Sequence, residues 1–146
     1  MLAVVQFIAI LSVAIFAGAA IYINVAEHPA RMGCDTKTAA TVWAPSYKRA
    51  YVMQASLAVM GFISGLTVWF LNGSILWLLG ATCIGAVIPF TFMVIMPTNQ
   101  KLLAPERDLS SIETRELLVK WGKLHAVRSL LSFIALVIYV ALSLKA

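Results

Sequence analysis

Charged residues are scarce in this chain, and their scarcity excludes a water-soluble globular fold. Only 12% of the 146 residues are Asp, Glu, Lys or Arg, whereas 62% are hydrophobic. A soluble domain of this length needs far more polar surface to cover its core. The composition therefore indicates an integral membrane protein in contact with the lipid bilayer. The net charge of +5 bears on membrane topology, and we expect no nucleic-acid partner.

Cysteines and the common catalytic motifs are also few or missing. Cys34 lies in a polar stretch and Cys83 in the middle of an apolar run, so their membrane depths differ too much for a disulfide. We predict two free thiols. The sequence contains no Ser-His-Asp order, CxxC pair, phosphate-binding loop or dinucleotide fingerprint. Any chemistry is therefore expected from polar residues that separate membrane helices bring together.

Four long apolar runs predict an all-α fold, a transmembrane four-helix bundle that forms one domain over residues 1–146. The predicted spans are approximately 2–25, 47–71, 75–96 and 111–144. The first run is longer than the core of a signal peptide and no Lys or Arg precedes it, so we expect it to be retained. The fourth helix exceeds the bilayer thickness, so only residues 124–144 are predicted in the membrane and its first turns extend beyond it.

The helix ends are predicted from local signals. Pro29 is expected to stop the first helix, and Pro45 to begin the second. A tight turn at Asn72-Gly73-Ser74 makes the third helix return antiparallel to the second, and a capping-box pattern from Ser110 to Glu113 begins the fourth near residue 111. On the second helix, the predicted inner face carries residues that follow the helical repeat: Tyr47, Tyr51, Gln54, Ala58, Gly61 and Gly65.

The basic residues lie almost entirely on one side of the predicted bundle. Of the eleven Lys and Arg residues, Lys145 alone belongs to the side opposite the loops that follow the first and third spans. The positive-inside rule then places both loops in the cytoplasm and both termini outside. We expect a bacterial inner-membrane protein with its polar site toward the cytoplasm.

Each predicted helix carries polar residues at this cytoplasmic end. They are Asn24, Glu27 and His28 on the first helix, Tyr47, Tyr51 and Gln54 on the second, Thr98 and Asn99 on the third, and Trp121, His125 and Arg128 on the fourth. A charge at membrane depth is costly unless it is paired, so we predict an ion pair between Arg128 and Glu27. Intramembrane ionisable groups mark function by default.

Three alternatives remain open for these residues. The cluster could serve only to lock the bundle, and Tyr51 and Trp121 could be anchors at the membrane interface. His28, His125 and Glu27 also supply the ligand types of a two-His-one-carboxylate metal site. However, no single helix carries a His-x-x-x-His pattern, and adjacent Glu27 and His28 point about 100 degrees apart. The sequence leaves the cofactor unknown, with no cofactor and an iron or copper ion both open.

Four short blocks in these regions resemble the anthrone-oxygenase-like family of small four-span membrane proteins. They are Glu27-His28-Pro29-Ala30-Arg31, Trp43-Ala-Pro45-Ser-Tyr47, Met96-Pro97-Thr98-Asn99 and Trp121-Gly-Lys-Leu-His125-Ala-Val-Arg128. The resemblance implies a four-helix integral membrane fold. For the characterised fungal members it implies oxygenation of a polyketide anthrone to an anthraquinone. It points to His125, Arg128, Asn99, Glu27 and Tyr47 as site candidates.

The resulting hypothesis is a membrane oxygenase for a lipophilic aromatic, anthrone or quinol-type substrate. His125 is the expected base, Arg128 the stabiliser of the developing oxyanion, and Glu27 the partner of one of them. The predicted substrate-binding residues are Asn99, Tyr47, Asn24, Gln54 and Trp121. Alternatives from other classes are a non-catalytic scaffold or accessory subunit and a small-molecule transporter, and the possibility of a homo-oligomer stays open.

Overall fold

The computed structural model describes residues 1–144, and four long helices account for most of them. They are α1 (Leu2–Met32), α2 (Thr36–Asn72), α3 (Ile75–Leu102) and α4 (Ile112–Ser143), each long and apolar enough to cross a bilayer. No strand occurs within this described part of the chain. The predicted all-α integral membrane bundle is therefore confirmed. With 32 residues, α4 is about 48 Å long and exceeds the hydrocarbon thickness, as expected.

Short connections make consecutive helices antiparallel. Three residues join α1 to α2, and residues 73–74 join α2 to α3, where Gly73 takes the left-handed conformation at φ 70 and Asn72 Oδ1 accepts a hydrogen bond from the Ser74 amide. Helix α1 packs against α2 and α4, and α3 packs against the same two helices. We call the end with connections 33–35 and 103–111 the polar end, and the opposite end the apolar end.

Two prolines, Pro29 and Pro97, lie inside helices that continue past their predicted ends. Helix α1 continues through Pro29 to Met32, and α3 continues through Pro97 to Leu102. In each case a π-helical turn precedes the proline, at Ile23–Glu27 and at Thr91–Ile95. Proline removes one backbone hydrogen bond and its ring crowds the carbonyl four residues earlier, and the wider π turn makes room for both effects. The predicted ends at 25 and 96 are therefore wrong.

The predicted start of the second helix is also wrong, because α2 begins at Thr36 and Pro45 lies within it. Asp35 caps the helix: its carboxylate accepts hydrogen bonds from the Thr38 amide at 3.0 Å and from the Thr38 hydroxyl at 2.6 Å. These hydrogen bonds hold the pKa of the Asp35 carboxyl below its usual range. A strong N-cap thus outweighs the preference of proline for a first turn.

Helix α4 begins where it was expected, although through a different cap. Ser111 accepts a hydrogen bond from the Thr114 amide at 3.1 Å, while Glu113 forms an ion pair with Arg107 at 3.4 Å. Ser110 instead contacts the Asp108 carboxylate. The predicted start near residue 111 is confirmed, but the reciprocal capping box is not formed.

The core of the apolar end is organised around Tyr139 of α4. Its ring is fully buried, stacks on Trp77 at 4.5 Å, and its hydroxyl donates to the Gly61 carbonyl at 3.3 Å. A Cβ atom added at Gly65 would lie 1.7 Å from the Tyr139 hydroxyl. Gly65, on the predicted inner face of α2, therefore leaves a slot for the Tyr139 side chain, whereas a Cβ at Gly61 would lie 2.6 Å from Val13 Cγ2 of α1.

Candidate functional site

Asn24 holds His125 in one orientation and one tautomer. Asn24 lies in the π turn of α1, and its Oδ1 accepts hydrogen bonds from His125 Nδ1 at 2.7 Å and from the Ser129 hydroxyl at 2.6 Å. Its Nδ2 donates to the Gly122 carbonyl at 3.0 Å, which fixes the orientation of the amide. Because an amide oxygen only accepts, the His125 proton is on Nδ1, and Nε2 carries the lone pair of the neutral ring.

His28 braces α1 against α4 at a separate point. Its Nε2 donates to the Leu118 carbonyl at 3.0 Å, and its ring lies so close to Gly122 that an added Cβ would be 2.6 Å from His28 Cδ2. Glycine at 122 is therefore needed for the ring to reach the α4 backbone. On the other side, Arg31 Nη1 lies 3.5 Å from His28 Nδ1. His28 is thus a buried structural contact between α1 and α4.

Glu27 pairs within its own helix. Its carboxylate accepts from the Arg31 guanidinium one helical turn later and from the Ser46 hydroxyl of α2 at 2.5 Å. The predicted ion pair between Glu27 and Arg128 is therefore wrong, and Glu27 orients neither Arg128 nor His125. The cause is the continuation of α1 past Pro29, which brings Arg31 onto the same helical face as Glu27.

Arg128 is a buried cation without an acidic partner. Its Nη2 donates to Gln54 Oε1 at 2.8 Å, and its guanidinium lies over the Phe16 ring, 5.4 Å from the centroid. The residue is 6% exposed, and no carboxylate within residues 1–144 forms an ion pair with it. A neutral amide and an aromatic face only partly compensate a guanidinium at membrane depth, so the charge is available to an anionic ligand.

His125 and Arg128 line a small cavity in the polar half of the bundle, which we call the His125 chamber. Its walls also include Tyr47, Gln54, Trp43 and Trp121. Its free volume is about 10 Å³, enough for one water molecule. A bound substrate of any size therefore requires side chains to move.

Aromatic rings surround this chamber. Trp43 and Tyr47 are almost parallel with centroids 5.0 Å apart, Trp121 meets Trp43 edge-on at 5.7 Å, and Trp121 stacks on His125 at 4.8 Å. Trp121 is buried, so it is not an anchor at the membrane interface. Asn99 Nδ2 donates to the Tyr47 hydroxyl oxygen at 3.0 Å, which leaves the phenol proton free to donate to a ligand. The walls suit a flat aromatic molecule.

The chamber walls contain an excess of hydrogen-bond donors. Buried nitrogen atoms without a protein partner occur on five lining residues: Arg31 Nε, Trp43 Nε1, Gln54 Nε2, Trp121 Nε1 and Arg128 Nε. Such atoms are costly to bury unless an acceptor reaches them. The surroundings therefore favour a ligand that is rich in acceptor oxygens.

The three candidate metal ligands are not brought together. Glu27 faces Arg31, Nε2 of His28 faces a backbone carbonyl, and Nδ1 of His125 faces Asn24. Over the described residues, no group of three or more His, Cys, Asp or Glu side chains is placed to hold a metal ion. The residues present do not fit the iron or copper site that the sequence suggested.

Most of the predicted site residues converge, although not in the predicted pairs. His125, Arg128, Gln54, Tyr47 and Trp121 line the chamber, while Asn24 and Asn99 lie behind it and orient His125 and Tyr47. Sequence reasoning missed five contributors: Arg31, Trp43, Ser46, Gly122 and Ser129. Arg31 follows Glu27 and Ser129 follows His125 by four residues, so helical spacing was the available signal for these two.

Comparison with known proteins places this chain in a family. The family described as anthrone oxygenase matches residues 43–138, more than half of the chain. The chain is 32% identical over 108 residues to the anthrone oxygenase tpcL of Aspergillus fumigatus, covering 66% of this chain and 67% of that protein. It is also 32% identical over 122 residues to the anthrone oxygenase ptaC of Pestalotiopsis fici, covering 73% and 85%. No solved structure matches.

Proposed function

This chain belongs to the anthrone oxygenase family, and on that premise we propose that it oxygenates a lipophilic anthrone or quinol-type substrate in the His125 chamber. One observation supports the location of the proposed reaction. His125, whose Nδ1 donates to Asn24, and Arg128, which has no acidic partner among residues 1–144, line the same buried cavity. That pair matches a reaction in which a C–H proton leaves and negative charge develops on a nearby oxygen.

The proposed reaction converts the CH₂ group of an anthrone to a carbonyl with dioxygen as the oxidant. His125 Nε2 takes one proton from the CH₂ carbon, and the electron pair of that bond delocalises onto the substrate oxygen, where Arg128 stabilises the charge. The electron-rich carbon then reacts with dioxygen to form a C–O bond and, with the returned proton, a hydroperoxide. Loss of water removes the second hydrogen of that carbon and breaks the O–O bond. One oxygen atom enters the ketone and the other leaves in water, so no further reductant is required.

The other chamber residues position the substrate. Ser129 helps to hold the Asn24 amide, which in turn fixes the His125 ring through Nδ1, so that Nε2 points away from Asn24. Asn99 donates to the Tyr47 hydroxyl oxygen and so leaves that hydroxyl available as a donor. Trp43 and Trp121 supply faces and edges for a planar ring system. The donor excess around the chamber is matched by the hydroxyl and carbonyl oxygens of such substrates.

The test is oxygen uptake by the purified protein in detergent with an anthrone, after subtraction of the spontaneous reaction. His125→Ala should reduce turnover by a factor on the order of 10² to 10⁴, the usual contribution of a general base. The matched control is His28→Gln, which changes a second buried histidine but keeps a donor for the Leu118 carbonyl. Undiminished turnover in folded His125→Ala would refute the mechanism.

A further inference from the structure

A second cavity lies beside the His125 chamber, between α2 and α3. It has a volume of about 190 Å³, and its walls are apolar side chains that include Ala55 and Val59 of α2 and Ile88 and Phe92 of α3. Val59 and Phe92 are exposed on the outside of the bundle, the surface that faces lipid in a membrane protein. We call this cavity the α2–α3 groove. It opens sideways, toward the bilayer.

The groove lies between two points at which side chains join α2 and α3. Toward the apolar end, the Phe62 ring lies against Gly85, where an added Cβ would be 2.7 Å from the ring. Toward the polar end, Asn99 and Tyr47 join the helices through their hydrogen bond of 3.0 Å. Between these contacts α3 contains Pro89 and enters its π turn at Thr91, so its backbone is irregular beside the groove.

Three side chains line both the groove and the His125 chamber: Tyr51, Gln54 and Arg128. The hydrogen bond of 2.8 Å between Arg128 and Gln54 lies at this shared wall. Gln54 and Arg128 are long side chains with several rotatable bonds, so a rotamer change at Gln54 can join the two spaces without moving a helix.

We propose that the α2–α3 groove is the route by which a planar, apolar aromatic ligand enters from the bilayer, and that the Gln54–Arg128 pair is the movable partition before His125. This inference rests on the proposed function, because the same ligand class is assigned to the chamber. The apolar walls accept the ring system from lipid, and the Arg128 guanidinium meets its oxygen atoms at the inner end.

The experiment follows the association of a dihydroxyanthraquinone with the protein in lipid nanodiscs by stopped-flow fluorescence. Trp43 and Trp121 line the chamber, so arrival of the coloured ligand quenches their emission. The variant Ala55→Phe/Val59→Phe fills the groove and should slow association and dissociation alike, by a factor on the order of ten, with little change in affinity. The matched control, Val52→Phe/Ile63→Phe, adds the same rings to lipid-facing positions of α2 outside the groove and should bind at the wild-type rate.

A second variant tests the partition. Gln54→Ala removes the side chain between groove and chamber and should speed association severalfold. If the phenylalanine pair does not fold, Val59→Cys in a Cys34→Ser/Cys83→Ala background can be alkylated with a phenylmaleimide after folding, which imposes the same block. Unchanged rates in the blocked protein would overturn the route while leaving the proposed function intact. No quenching of the wild-type protein would instead contradict the proposed function, and the route with it.

Discussion

At the scale of single residues, Asn24 and Arg31 make the hydrogen bonds and the ion pair that set the partners of the predicted catalytic residues at the polar end. Asn24 satisfies three groups of α4 at once, because its amide can accept and donate simultaneously. Arg31 neutralises Glu27 within α1. As a result, His125 donates from Nδ1 to an uncharged partner, and Arg128 retains a charge that is not cancelled by the protein's own acids in the described chain.

The contacts of Glu27 lead to a prediction about energetic coupling. A double-mutant cycle on Glu27→Gln and Arg31→Gln, measured by thermal unfolding in detergent, should give a coupling energy of about 0.5–3 kcal/mol, because the two side chains form one ion pair that is partly buried. The cycle on Glu27→Gln and Arg128→Gln should be additive within error, since these residues share no contact. Strong coupling in the second cycle would mean that Glu27 and Arg128 meet in the membrane after all.

The original expectation of a Glu27–Arg128 pair shows where sequence reasoning reached its limit. The apolar runs and the helical repeat were enough to place His125, Arg128, Gln54 and Tyr47 around one cavity. The pairing of charges depended on whether α1 continues after Pro29, and that depended on a π turn for which the sequence carries no known pattern. An error of about two helical turns in a helix end was therefore enough to assign Glu27 the wrong partner.

At the scale of helices, the existence and order of the four helices were predictable from the sequence, whereas the residues at which they begin and end were not. Long apolar segments leave little choice about which residues cross the bilayer, because every backbone group must find a partner inside its own helix. The ends depend on weaker competing signals. Asp35 captures the start of α2 from Pro45, and Ser111 replaces Ser110 as the cap of α4. These competitions involve differences of about 1 kcal/mol, too small to read from residue preferences alone.

The Tyr139 slot provides a prediction at this scale. Gly65→Ala should destabilise the bundle by about 1–3 kcal/mol, because the new Cβ would clash with the fully buried Tyr139 ring and hydroxyl. Gly18→Ala is the matched control: nothing lies within 4 Å of a Cβ at that position, so the change should be neutral or slightly stabilising in a helix. Thermal unfolding in detergent measures both. Equal melting temperatures for the two variants would show that the slot tolerates a methyl group.

At the scale of the whole molecule, buried polarity is concentrated at one end of the bundle. The buried His and Arg residues in the described chain, namely His28, Arg31, His125 and Arg128, all belong to the polar half, whereas the apolar half is built around Tyr139 and Trp77. A transport pathway would need polar groups or a cavity in both halves. The bundle instead has one polar half and one tightly packed apolar half. This arrangement suits a reaction chamber that is closed at the apolar end.

The orientation of the bundle in the membrane can be predicted from the distribution of its basic residues. The Lys and Arg residues of the polar end outnumber those of the apolar end, so we predict that the polar end faces the cytoplasm and that both termini lie outside. Cys34 is exposed in the connection between α1 and α2, and Cys83 is partly buried within α3. In a Cys83→Ala protein, a membrane-impermeant maleimide should therefore label Cys34 in inverted vesicles and not in right-side-out vesicles.

A reciprocal variant makes the orientation test independent of vesicle leakage. Ser74 lies in the turn at the apolar end, and its side chain makes no capping hydrogen bond, so Ser74→Cys is a conservative change. In a Cys34→Ser/Cys83→Ala background, Ser74→Cys should react only in right-side-out vesicles, the opposite pattern to Cys34. Cys34 and Ser74 lie just beyond opposite ends of α2, which crosses the membrane. The two labelling patterns must therefore exchange together if the orientation is inverted. Labelling of Cys34 from the outside, with Ser74→Cys labelled from the cytoplasm, would therefore place the His125 chamber toward the exterior and refute the prediction from charge.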